Sequence, residues 1–130
     1  MTRRTIIEGG GLPVHKQPFP TAVKLGNVVC SSAIGGHDPV TGKVPDSPEE
    51  QIRNAFSHVE TVLRVAGGSL SDLAKVTVYL RDRGMRDLVN QVWIKLFPNE
   101  RDRPVRHTVE GEFTGNRIIQ IEILAVVQDS

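Results

Sequence analysis

The chain has 130 residues, 16 Lys and Arg against 15 Asp and Glu, and one cysteine. This length suits a single domain, 1–130, with one core, and the near balance of charge excludes a whole-molecule field that would draw in nucleic acid or a membrane surface. One thiol excludes an internal disulfide framework, and no apolar run approaches the ~20 residues that span a bilayer.

The N-terminal Met1–Ile7 stretch meets glycines before an apolar signal core could form, so the expectation is a cytoplasmic protein whose partners are chosen by a local site. Thr5–Glu8 reads as a short edge strand, followed by Gly9-Gly10-Gly11-Leu12-Pro13. A phosphate loop should open a helix; here Pro13, Pro18 and Pro20 follow, which argues against nucleotide binding. Thr21–Leu25, Gly26-Asn27 and Val28–Ala33 form a hairpin with a tight connection, and its second arm carries Cys30 and Ser32 on one face. No nucleophile elbow surrounds Ser32 or Cys30, and Cys30 reads as a buried, inert small hydrophobe. Gly35–Gly42 is turn chemistry throughout.

Ser47-Pro48-Glu49-Glu50 announces a helix, with Ser47 as cap, Pro48 at the first position and Glu50 able to complete a capping box. Its stripe is Ile52, Phe56, Val59, Leu63 and Ala66, and Gly67-Gly68 ends it. His58 on this helix reads as a solvated or capping side chain. Leu73–Leu80 alternates as a strand, and after Gly84 a second helix turns Leu88, Val89, Val92, Trp93, Leu96 and Phe97 inward before Pro98. His15, His37, His58 and His107 show no paired ligand spacing, so neither a metal nor another cofactor is expected.

The last third holds two more strands. In the first, a two-residue period sets Arg106, Thr108 and Glu110 opposite His107 and Val109; in the second, Ile119, Ile121, Ile123 and Ala125 lie opposite Gln120, Glu122 and Leu124. These strands are expected to pair, bringing Arg106 near Gln120. Arg106 then has two readings: it pairs with Glu110, Glu112 or Glu122, or its fork of donors holds the carboxylate of a ligand. With helices of about fifteen and twelve residues as right-handed crossovers, the order predicts an α+β two-layer sandwich, a mixed sheet with both helices on one face.

Leu25-Gly26-Asn27, Asp38-Pro39 with Thr41-Gly42, Gln51 with Asn54, Lys75-Val76-Thr77-Val78, Asn90 with Trp93, Arg103-Pro104-Val105-Arg106 and Gln120-Ile121-Glu122 together closely resemble the Rid (YjgF) family of reactive intermediate deaminases. The resemblance runs from about Pro18 to Val127 and implies a chorismate-mutase-like fold and a homotrimer with sites in the clefts between subunits. It also implies hydrolysis of enamines and imines such as 2-aminoacrylate and 2-iminopropionate, without a cofactor. In that pattern Arg106 grips the substrate carboxylate, and Ser32 and Asn90 match family site positions, with Trp93 beside them. Three positions depart from it: the family tyrosine falls on Phe19, the cysteine on Thr108, and the glutamate that orients or activates water on Gln120. The first expectation is thus a carboxylate-bearing imine hydrolase with Arg106 and Gln120 at its centre. Alternatives are a deaminase of a ring-cleavage product of the 2-aminomuconate type, to which Phe19-Pro20 points, and a non-catalytic small-carboxylate binder, to which Gln120 points. Near-neutral charge and a single tryptophan argue against an RNA groove.

Overall fold

The structure is a computed structural model that describes residues 3–12 and 14–128; Pro13 of the glycine-rich loop lies outside them. Its elements are β1 (Arg4–Ile7), β2 (Ala22–Leu25), β3 (Val28–Ser31), β4 (Ile34–Gly35), α1 (Pro48–Val65), β5 (Leu73–Leu80), α2 (Arg86–Leu96), β6 (Val105–Glu110) and β7 (Ile119–Val126). One sheet runs β1-β2-β3-β7-β5-β6, with the short β4 also paired to β7. β5 and β6 pair in parallel; the other strand pairings among the described residues are antiparallel.

Local chemistry explains where the elements begin and end. Gly26, with φ of +62°, makes the two-residue turn between β2 and β3, because a side chain is disfavoured at that angle. The Ser47 hydroxyl accepts from the Glu50 amide at 3.3 Å to start α1, and the Gly68 amide donates back to the Leu63 carbonyl at 2.8 Å to stop it. The α1 stripe of Ile52, Phe56, Val59, Leu63 and Ala66 is buried as its spacing requires, against Val76, Val78 and Leu80 of β5 and Ile119, Ile121, Ile123 and Ala125 of β7. At roughly 1.5–3 kcal/mol for each large apolar side chain, this layer is the main source of stability. From α2, Val89 and Trp93 are buried, Phe97 follows just past its end, and Leu88, Val92 and Leu96 pack partly exposed against them. The helices have 18 and 11 residues, and no helix among the described residues is long and apolar enough to cross a membrane. The α+β sandwich, two helices on a mixed sheet, is as the sequence indicates.

Three expectations fail. β6 does not pair with β7: β5 lies between them, with Val76 opposite Arg106 on one side and Ile123 on the other. The uninterrupted apolar face of β7 earns an interior position, whereas β6, with its Arg-His-Thr run, suits the edge to which the α2 crossover returns it. Cys30 is exposed rather than buried, because its register with Val23 and Leu124 turns it to the helix-free face. Val28, Leu124 and Val126 are also exposed there. His58 is neither solvated nor a cap. At 2% exposure it is buried, with its Nε2 donating to the His37 carbonyl at 2.9 Å.

Candidate functional site

β6 and β7 each carry half of the expected site, and the sheet sets the halves on opposite faces. Arg106 and Thr108 stand in register with Val76 and Val78, whose side chains face the helices; Gln120 stands in register with Tyr79, on the helix-free face. His107 faces away from Arg106, as the alternation requires.

The Arg106 half is built by α2. Asn90 and Trp93, three residues apart on one helix face, both reach the guanidinium. Nη2 donates to Asn90 Oδ1 at 2.6 Å, and Cζ lies 4.9 Å from the centre of the Trp93 ring. Trp93 is itself locked by Phe97, 4.7 Å away, and by the edge of Phe56 at 6.3 Å. An acceptor and a cation–π contact of about 0.5–2 kcal/mol therefore hold the fork in one orientation. Burial, and after it the neighbouring Arg86 charge, lower the Arg106 pKa, yet an arginine remains charged at neutral pH. Among the described residues the ion pair present is Arg53 with Glu49, so the glutamate partners open to Arg106 from the sequence do not engage it. Glu122 instead faces Tyr79. Its charge, followed by desolvation and its hydrogen bond with the phenol, raises the Tyr79 pKa.

The second half is an open groove of about 950 Å³ whose walls include Phe19, Ser32, Glu112, Arg117 and Gln120, with Gly9–Gly11 along one side. The Ser32 hydroxyl and amide both donate to the Thr21 carbonyl, at 2.9 and 2.8 Å, so its Oγ is anchored at the floor by backbone. Phe19 leans on the His15 ring at 4.9 Å. Helix α1 supports this half from behind. Gln51 is buried, donating to the Pro45 and Asn116 carbonyls at 2.8 Å each and accepting from the Ile118 amide at 3.0 Å, which satisfies its polar atoms. Asn54 donates to the Gly36 carbonyl at 3.2 Å, and Gly36 lies so close to the Gln51 backbone that a Cβ would collide with it. His37 Nε2 donates to the Gly11 carbonyl at 3.0 Å and stacks on His58 at 4.1 Å between centroids, tying the glycine loop to the helix.

The sequence expectations thus divide cleanly. Arg106, Asn90, Trp93 and Thr108 belong to one half; Phe19, Ser32 and Gln120 belong to the other. The stacking of His37 on His58 is not marked in the sequence, because 21 residues separate them and no periodicity links the pair. Arg86 could have been found, because it precedes Asn90 by four and Trp93 by seven, a helical stripe readable without coordinates.

The amide of Gln120 neither gives nor takes a proton at neutral pH, but its oxygen can accept from a water and its nitrogen can donate. Arg106 gives one hydrogen bond to Asn90, and its remaining N–H groups can serve a carboxylate. No group of three or more His, Cys, Asp or Glu side chains that could hold a metal occurs among the described residues.

Comparison with known proteins connects this geometry to a family. Residues 12–128 match the family model described as Endoribonuclease L-PSP. A RutC family protein of Aquifex aeolicus is 31% identical over 115 residues, covering 88% of this chain and 92% of that one. The 2-iminobutanoate/2-iminopropanoate deaminase of Dermatophagoides farinae is 27% identical over 130 residues, covering 98% and 100%. The crystal structure of Escherichia coli TdcF with bound serine superposes with a TM-score of 0.86 at 28% identity, covering 95% of this chain and 99% of that chain. A match over nine-tenths of the chain, in sequence and in fold, to the same set of proteins that its scattered motifs resemble means that the chain belongs to the Rid (YjgF) family, to which that model corresponds.

Proposed function

We propose that the protein hydrolyses a small reactive imine or enamine bearing a carboxylate, of the 2-aminoacrylate and 2-iminopropionate type, to a keto acid and ammonia. The observation that carries the reading is Arg106: a partly buried guanidinium, oriented by Asn90 and Trp93, with no carboxylate of the described residues upon it. Two similar proteins add support, one named for deamination of 2-iminopropanoate and one crystallised with serine, itself a small carboxylate.

Opposite-face placement of Arg106 and Gln120 means that one chain cannot present both to one molecule. Exposed Val28, Leu124 and Val126 on the helix-free face supply apolar surface for a second copy. In the homotrimer of this reading, the Arg106 half of one subunit closes on the Phe19, Ser32 and Gln120 groove of its neighbour. Arg106 holds the carboxylate, at roughly 1.5–3 kcal/mol per charge-assisted hydrogen bond. An enamine first takes a proton from solvent at carbon and releases one from nitrogen to become the imine. Water, donating a hydrogen bond to the Gln120 oxygen, adds to the imine carbon; both of its protons end on the nitrogen, relayed through solvent, and ammonia leaves as the C–N bond breaks and the carbonyl forms. Phe19, Thr108 and the Ser32 region shape the cleft and exclude bulk water.

The test is ammonia release from 2-iminopropionate generated in situ by an amino-acid oxidase. The wild type should accelerate it, and Arg106→Ala should abolish the acceleration. If neither the wild type nor Gln120→Glu accelerates release, the hydrolase reading is wrong. A second reading, a non-catalytic carboxylate binder, is favoured by Gln120 alone; it requires that 2-oxobutyrate bind in an Arg106-dependent way without turnover of any imine.

A further inference from the structure

Arg86 opens α2 on the same stripe as Asn90 and Trp93, the two side chains that hold Arg106. Arg86 is exposed, while Arg106 is partly buried. The Arg86 charge, after burial, works against the charge on Arg106. Neither lies within 4.0 Å of a carboxylate among the described residues, where the ion pair present is Arg53 with Glu49. Asp87, the acid next to Arg86 in sequence, is exposed and forms no such pair with either of them. Two like charges that oppose each other, neither paired with an acid among the described residues, cost folding stability, and that cost is removed when an anion arrives. The arrangement therefore favours a ligand with more negative charge than one carboxylate carries.

We infer that Arg86 is a specificity-determining residue that receives a second carboxylate, so that the preferred substrate is the imine or enamine of a short dicarboxylic keto acid. The inference rests on the reading that Arg106 anchors the first carboxylate. Arg106 takes the carboxylate next to the reacting carbon, inside the cleft, and the exposed Arg86 takes the distal one at the rim. The reaction is unchanged: water adds to the C=N carbon, the C–N bond breaks and ammonia departs. Arg86 touches only the far end of the substrate and so sets choice among substrates rather than the chemical step.

The experiment measures affinity by calorimetry for 2-oxoglutarate and 2-oxobutyrate as probes, with the wild type, Arg86→Gln, Arg86→Lys and Arg106→Ala. The wild type should prefer 2-oxoglutarate by about tenfold or more, Arg86→Gln should bring the ratio near unity, and Arg86→Lys should restore part of it. Equal affinities in the wild type, or a preference that survives Arg86→Gln, overturn the inference. In that event the anchoring role of Arg106 still stands if Arg106→Ala removes binding of both acids. Binding of 2-oxobutyrate that is indifferent to Arg106→Ala overturns both readings.

Discussion

The two halves of the site differ in how much of their geometry one chain supplies. Around Arg106 a single helix delivers both the acceptor, Asn90, and the ring, Trp93, so the anchor is set before any ligand or partner arrives. Around Gln120 the chain offers an open groove, lined in part by a glycine loop, with an amide where the family pattern has a carboxylate. In the proposed reading, recognition is preorganised within the subunit, whereas the water-handling side depends on a neighbouring copy and on a group that exchanges no protons. A cation at a fixed position can be held by local packing alone; a closed, water-excluding cleft needs two surfaces.

That contrast is most strongly challenged at the anchor. Arg106→Ala should lower affinity for 2-oxobutyrate by about 10²-fold or more, the loss of up to two charge-assisted hydrogen bonds of roughly 1.5–3 kcal/mol each. Calorimetry showing an unchanged constant would mean that the anchor lies elsewhere. Gln120→Glu restores a proton-exchanging group, and general acid–base catalysis is typically worth roughly 10²–10⁴ in rate. A gain of at least about tenfold in ammonia release is expected, without change in 2-oxobutyrate affinity; a fall in rate would show that the amide itself is needed.

Smaller effects probe the supports of the groove. Gly36→Ala places a methyl against the Gln51 backbone, where no flexible side-chain end can yield, and should cost about 1–3 kcal/mol in urea unfolding. Binding at Arg106 should persist in the folded fraction. The smallest expected effect is that of pH through His58, whose neighbours are the stacked His37 ring and the Asp38 carboxylate. Burial lowers its pKa from the ordinary 6.5, against the raising effect of its hydrogen bond to the His37 carbonyl. The folded state thus binds this proton less readily than the unfolded chain does. The stability it contributes is complete above about pH 6.5 and is lost as pH falls below that value. Tm should drop by a few degrees between pH 7.5 and 5.5, and His58→Gln, which keeps a donor but cannot titrate, should flatten that drop. An equal drop in both proteins would assign the pH sensitivity to other groups.

Much of this protein was readable in its residues because it rests on short-range rules. The Ser47 cap, the three- and four-residue spacing of Ile52 through Ala66, the Gly26 turn and the two-residue alternation of β7 each involve neighbours in sequence, and each appears in the fold as its local chemistry demands. The family pattern likewise placed Asn90, Trp93 and Arg106 among the site positions, and α2 does bring them together. What the residues could not decide was long-range. Whether β6 joins β7 or β5 depends on where the α2 crossover lands and which strand buries more apolar surface, and that choice sent Arg106 and Gln120 to opposite faces. The burial of His58 beside His37 and the effect of the Arg86 charge on Arg106 follow from the same packing. Periodicity states which way a side chain points from its own strand or helix; only the assembled layers determine what it meets there.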